Sequence, residues 1–154
     1  MEPKPAAISQ LFPAESESAR DTRQFGKRLA LMLPAGTVLA LQGDLGAGKT
    51  ELVRGLVAGL GGDPADVTSP TFTVVQQYDV PSGLVIHVDA YRSESPAEFV
   101  EMGLADYLDE AVLAAIEWPD QLGPHLPADS VVIRIAHAGD TKRLITLESP
   151  EGRS

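Results

Sequence analysis

The spacing of apolar positions changes several times along the chain, and each change predicts a new element. Phe25, Leu29 and Met32 recur at helical spacing between Glu15 and Leu33, with acids near the start and Lys27 and Arg28 toward the end, so a helix is predicted there and Pro34-Ala35-Gly36 stops it. Thr37 to Leu41 is apolar without alternation, the pattern of a strand buried on both faces of a parallel sheet. Leu52, Val53, Leu56 and Leu60 form a helical stripe that ends at Gly61-Gly62, where glycine adopts a left-handed cap at little cost. Phe72 to Tyr78, rich in Thr, Val and aromatic residues, is separated by Pro81-Ser82-Gly83 from Leu84 to Asp89, which predicts a hairpin. Ser95-Pro96-Ala97-Glu98 has Ser at an N-cap, Pro at the first helical position and Glu at the third, so a short helix starts there and Gly103 ends it. A second short helix is predicted from Leu104 to Asp109. Ala111 to Ile116 reads as another buried strand, with Glu117-Trp118-Pro119 at its end, and Val131 to Ile135 and Leu144 to Leu147 make a final hairpin around Gly139-Asp140. Alternation of strands with helices predicts an α/β layered fold with a mixed, mainly parallel central sheet.

Length and composition narrow the function classes. A chain of 154 residues is the size of one domain, 1–154, with flexible tails expected at about 1–10 and 150–154. Cysteine is absent from the sequence, which excludes disulfide frameworks, thiolate zinc sites, iron–sulfur clusters and a cysteine nucleophile. A net charge of −10 argues against the basic surface that nucleic acid or an anionic membrane needs, so any RNA connection is expected to be indirect. No apolar run is long enough for a signal peptide or a membrane span, and a cytoplasmic location is the expectation.

The chemistry is concentrated in Gly43-Asp44-Leu45-Gly46-Ala47-Gly48-Lys49-Thr50. It satisfies G-x-x-x-x-G-K-S/T and lies between a predicted buried strand and an amphipathic helix, the context in which that pattern is specific. Loop N–H groups and the helix N-terminus can surround a β-phosphate, Lys49 can reach the β and γ oxygens, and the Thr50 hydroxyl can ligate Mg²⁺. Glu51 stands where many phosphate loops have a second hydroxyl residue. Its carboxylate would repel an α-phosphate if it pointed inward, and an outward position on the first helical turn is expected.

Two carboxylates are candidates to complete the site. Asp89 ends an apolar strand, which suits a second Mg²⁺ anchor, although an Asp capping the following turn has the same appearance. Glu117 also follows an apolar strand. Because parallel strands end on one sheet edge, both acids can converge beside Thr50, to bind metal or orient water; a solvated acid beside Trp118 is the plainer alternative. Ser69-Pro70-Thr71-Phe72-Thr73 lies where nucleoside triphosphatases place a γ-phosphate sensor, and strand-entry chemistry explains its hydroxyls equally well. His87 reads as a strand-face residue rather than a catalyst. Arg92 can either neutralise transition-state charge or pair with a nearby acid. The sequence contains no asparagine, hence no N-K-x-D guanine reader, which favours ATP. A small-molecule kinase is disfavoured because Ser93 to Asp109 contains no Lys or Arg for a lid over the phosphates. A nucleotide-gated binding module without hydrolysis is the other alternative.

GDLGAGKT, SPTFT, HVDAYR, EFVEMGLADYL and IEWP follow one another in an order and spacing that resemble the bacterial TsaE (YjeE) family, from about Leu11 to Leu147. The resemblance implies a P-loop NTPase-like three-layer fold that binds ATP and Mg²⁺. It also implies association with the TsaB–TsaD pair, which transfers threonylcarbamoyl to the adenosine beside the tRNA anticodon, with the ATPase required for repeated turnover. On the matching positions it implies phosphate binding by Gly43 to Thr50, metal binding by Thr50 and Glu117 with support from Asp89, and a switch-like segment containing Thr71 and Thr73. Trp118 would report on the site. Adenine would lie between the N-terminal segment and the last hairpin, near Pro13 and Gly139. Family members often carry a second Thr where Glu51 stands.

Overall fold

In the computed structural model of the chain, the described residues are 8–44, 46–67, 75–90 and 96–148. Seven strands form one sheet: β1 (Ala14–Ser16), β2 (Thr37–Gln42), β3 (Val75–Val80), β4 (Gly83–Asp89), β5 (Leu113–Glu117), β6 (Val131–His137) and β7 (Arg143–Leu147), in the spatial order β1-β7-β6-β2-β5-β4-β3. β2 pairs in parallel with β5 and β6, and β4 pairs in parallel with β5. β3, β7 and β1 join by antiparallel pairings at the two edges. The mixed sheet with a parallel centre is therefore observed, and the C-terminal ends of β2, β4 and β5 share one edge.

Helices α1 (Ala19–Ala30) and α2 (Lys49–Gly59) cover one face, and the short helices α3 (Ala97–Glu101) and α4 (Leu104–Glu110) cover the other. The central strands lack alternation because each face is buried. Leu113 and Ala115 of β5 join the cluster with Phe25, Leu29, Leu52 and Leu56, whereas Ala114 and Ile116 join Phe99 and Leu104. Between α1 and α2 the main chains touch. A Cβ on Gly26 would stand 2.6 Å from the Leu52 carbonyl oxygen, and one on Gly55 would stand 2.1 Å from that of Arg23. These glycines set the distance between the two helices.

Three local expectations need correction. The helix predicted within Glu15 to Leu33 starts only at Ala19, because the Ser18 hydroxyl accepts from the Asp21 N–H as its N-cap, and the preceding residues pair as β1 with β7. Ala111 and Val112 precede β5, which starts at Leu113 and continues through Glu117. Ile8, inside the stretch expected to be a flexible tail, is buried in the α1/α2 core. A 3₁₀ segment at Pro119–His125 was not foreseen in the apolar pattern. Ser95 and the strand start at Phe72 lie outside the described residues.

Candidate functional site

β2 delivers the chain into the loop Gly43–Gly48, and α2 begins immediately at Lys49. Gly48 caps the helix at φ 109°, a conformation strained for any residue with a Cβ. At Gly43 a Cβ would lie 2.5 Å from the Ile135 carbonyl oxygen of β6. The glycine pattern thus serves the loop's own path as well as its opening toward an anion, and the α2 N-terminus supplies orphan N–H donors there.

Lys49 opens α2 and is buried. Its Nζ donates to the Gly43 carbonyl and lies 3.6 Å from the centroid of the Trp118 ring. Removal from water lowers the Lys49 pKa from the usual lysine value, and Glu117, Asp89 and Asp44 oppose that shift. Trp118 has φ 59°, the only positive φ outside glycine among the described residues. Such a backbone costs about 1–3 kcal/mol and occurs where surroundings impose it, here at the turn that lays the indole against the ammonium group.

The strand ends bring the acids together. Asp89 of β4 and Glu117 of β5 are register partners, and the Thr50 hydroxyl donates to Glu117 Oε2 at 3.3 Å. A cleft of about 310 Å³ is lined by Gly46, Gly48, Lys49, Thr50 and Glu51 of the loop and helix, by Asp89, Glu117 and Trp118 of the strand ends, and by Arg54. Thr50, Asp89 and Glu117 offer hard oxygen donors, the set that Mg²⁺ prefers. Among the described residues no group of three His, Cys, Asp or Glu side chains is arranged to hold a metal unaided. A divalent cation here would complete its shell with phosphate oxygens and water, as Mg²⁺ does at nucleotide sites.

Glu51 does not extend freely outward. It lines the cleft, with Oε2 accepting from Arg54 Nη1 at 2.8 Å and Oε1 3.3 Å from Arg23 Nε of α1. Packing of α1 against α2 encloses this carboxylate, and the two guanidinium groups offset its charge. Arg54 also donates from Nε to the Val67 carbonyl. Pro13, preceded by a cis peptide, leads into β1, and Gly139 lies in the β6–β7 turn; neither lines the cleft. The hairpin nevertheless reaches the phosphate loop, because Arg143 donates to the carbonyls of Ala47 at 3.1 Å and Gly46 at 3.2 Å. Leu45, Thr71, Thr73 and Arg92 lie outside the described residues.

Sequence reasoning missed what stands behind Glu117. His87 is fully buried on β4, its Nε2 2.6 Å from Glu117 Oε2 and its Nδ1 3.0 Å from the Tyr78 hydroxyl of β3, which is also within hydrogen-bond reach of the Gln76 side chain. The two-residue spacing of His87 and Asp89 puts them on one face of β4, a signal legible in the sequence. Arg54 follows Thr50 by one helical turn and was equally legible. Arg143 acts across 96 residues to Ala47 and had no local signal.

A strand, glycine-rich phosphate loop and helix at the parallel edge of a mixed sheet define the phosphate-loop α/β class. The model of the threonylcarbamoyl adenosine biosynthesis protein TsaE matches residues 16–145. Proteins named tRNA threonylcarbamoyladenosine biosynthesis protein TsaE are similar over most of the chain. The Bacillus subtilis one is 36% identical over 86% of this chain and 82% of its own, and the Haemophilus influenzae one 32% identical over 90% and 87%. The crystal structure of Bacillus subtilis YdiB superposes with a TM-score of 0.72 at 30% identity, covering 92% of this chain and 87% of that one. The chain belongs to the TsaE family, and its role is in tRNA threonylcarbamoyladenosine biosynthesis. No helix among the described residues is long and apolar enough to cross a membrane.

Proposed function

We propose that this chain is a magnesium-dependent ATPase, a single domain acting in the cytoplasm on the TsaB–TsaD pair to permit repeated threonylcarbamoyl transfer to tRNA. The carrying observation is the convergence of Lys49, Thr50, Asp89 and Glu117 on one cleft at the phosphate-loop edge. ATP with Mg²⁺ would supply, when bound, an activated γ-phosphoryl group and a cation that offsets its charge. The chain's own residues bind and orient it. Backbone N–H groups from Gly43 to Thr50 cradle phosphate oxygens, with Asp44, Leu45 and Ala47 contributing main chain only. Lys49 leaves the Gly43 carbonyl and the Trp118 ring to offset charge on the β and γ oxygens. Thr50 provides a hydroxyl to the metal, and Glu117 with Asp89 provides carboxylates that hold metal and orient the attacking water. Thr71 and Thr73 are assigned to γ-phosphate sensing, and the adenine to the side of Pro13 and Gly139.

The net charge of −10 favours docking on protein over competition for tRNA, so contact with tRNA is indirect. The test is steady-state ATP hydrolysis by wild type and Lys49→Ala, with and without TsaB–TsaD. Hydrolysis stimulated by the pair and lost in the variant is the expected result. Transfer of the γ-phosphate to a small acceptor would make the chain a kinase. ATP binding without turnover under any condition would make it a nucleotide-gated module.

A further inference from the structure

The ATPase reading leaves one fully buried polar side chain unused. His87 lies on the α2-covered face of the sheet, between Val85 and Asp89 on β4, with Gln76 and Ala115 as register neighbours on either side. A buried imidazole costs free energy unless both ring nitrogens find partners, and here both do. Tyr78 is also buried, so the chain Gln76, Tyr78, His87, Glu117 crosses three adjacent strands toward the cleft.

The pattern on Glu117 is one-sided. Oε2 accepts from His87 Nε2 at 2.6 Å and from Thr50 Oγ1 at 3.3 Å, and among the described residues no hydrogen bond falls on Oε1. An ionised carboxylate only accepts, so Nε2–H is the donor, and it contacts the oxygen that also faces Thr50. Two donors from different elements fix that oxygen in place and with it the plane of the carboxylate. A glutamate side chain has three rotatable bonds, and holding it against the end of its own strand requires such a clamp.

We propose that His87 is a positioning residue: its Nε2–H clamps Oε2 of Glu117 beside Thr50 so that Oε1 is presented to the magnesium ion and its water, with Tyr78 fixing the imidazole from behind. This assignment rests on the ATPase reading of the cleft. Partners that orient a metal-ligating side chain typically change metal affinity or activity 10–100-fold when removed.

The test compares wild type with His87→Leu, which keeps volume and removes both nitrogens, with His87→Gln, whose side-chain N–H can reach the Nε2 position, and with Tyr78→Phe. Calorimetric titration of MgCl₂ into the ADP complex, and of ADP into metal-free protein, supplies a readout independent of turnover. His87→Leu is expected to weaken Mg²⁺ binding about 10-fold or more and to lower kcat about 10–100-fold. Metal-free ADP affinity and KM for ATP should stay within about threefold, because the phosphate cradle is untouched. His87→Gln should recover most of the loss, and Tyr78→Phe should show a smaller loss of the same kind. If His87→Leu binds Mg²⁺ as wild type does, or if His87→Gln is impaired equally in both readouts, the positioning role is overturned while the ATPase reading stands. Should His87→Leu fail to fold, His87→Gln and Tyr78→Phe decide: Tyr78→Phe with unaltered Mg²⁺ affinity and kcat overturns the relay behind the clamp. Wild type that binds ADP with no dependence on Mg²⁺ overturns the ATPase reading and this assignment together.

Discussion

The two faces of the sheet are packed by different means, and the difference decides where chemistry can be held. On the α1/α2 face, glycines bring helix main chains into contact, and this face carries the buried Lys49, His87 and Glu117. On the other face α3 and α4 have five and seven residues, cover the strands through Phe99 and Leu104, and leave Val100 59% and Met102 38% exposed. Close-packed interiors allow buried polar groups only where geometry is fixed well enough to satisfy them. The rigid face therefore bears the buried polar pairs and the cleft, and the thin face contributes mainly apolar cover.

Removing the charge at the centre of the rigid face should have the largest effect. Lys49→Ala is expected to lower ATP turnover about 10²–10³-fold, the range found for losing one positioned electrostatic donor, with far-UV circular dichroism unchanged. Turnover within about twofold of wild type would remove Lys49 from the chemistry. The helix contact comes next. Gly→Ala inside a helix normally stabilises by up to about 1 kcal/mol. Gly55→Ala should instead destabilise by roughly 2–3 kcal/mol, since the added Cβ meets backbone and cannot move aside by itself. Val100→Ser, on the thin face, should stay within about 0.5 kcal/mol. Denaturant midpoints for the two variants check the contrast directly, and a neutral Gly55→Ala would erase it.

Six of the seven strands, the order of the main elements and the phosphate loop were legible because they rest on local periodicity and on one motif. The convergence of Asp89 and Glu117 was legible too, since parallel strands that both end in an acid put those acids on one edge. What stayed hidden depends on register and on long-range packing. Nothing local distinguishes a strand-face histidine that meets a glutamate on the neighbouring strand from one that does not, and pairing of Ala14–Ser16 with β7 leaves no periodic trace in three residues. Glu51 illustrates the limit on its side chain: helix position alone predicts an outward acid, and only the approach of α1 encloses it with Arg23.

A moderate effect is expected at Asp89. Asp89→Asn keeps the shape and one acceptor oxygen but removes the charge, and the magnesium concentration for half-maximal turnover should rise about 10-fold. An unchanged magnesium titration curve would take Asp89 out of the metal site and leave Glu117 and Thr50 as its donors from the chain.

The smallest effect separates the cost of a buried ammonium from its use. Burial lowers the Lys49 pKa in the folded protein below the value of about 10.5 that the unfolded chain has. Between those two values the unfolded state binds more protons than the folded state, so this group makes stability rise with pH there. Below the folded value the desolvation penalty is present in full. Lys49→Met, which fills similar volume without charge, is therefore expected to be more stable than wild type at neutral pH, as active sites that trade stability for function commonly allow. Its advantage should shrink as pH climbs toward 10. Urea midpoints of the two proteins, compared at each pH so that all other titrating groups cancel, measure this gap. A gap that widens with pH would mean that the contacts of Lys49 with Gly43 and the Trp118 ring outweigh desolvation, and that the rigid face holds its central charge at no cost in stability.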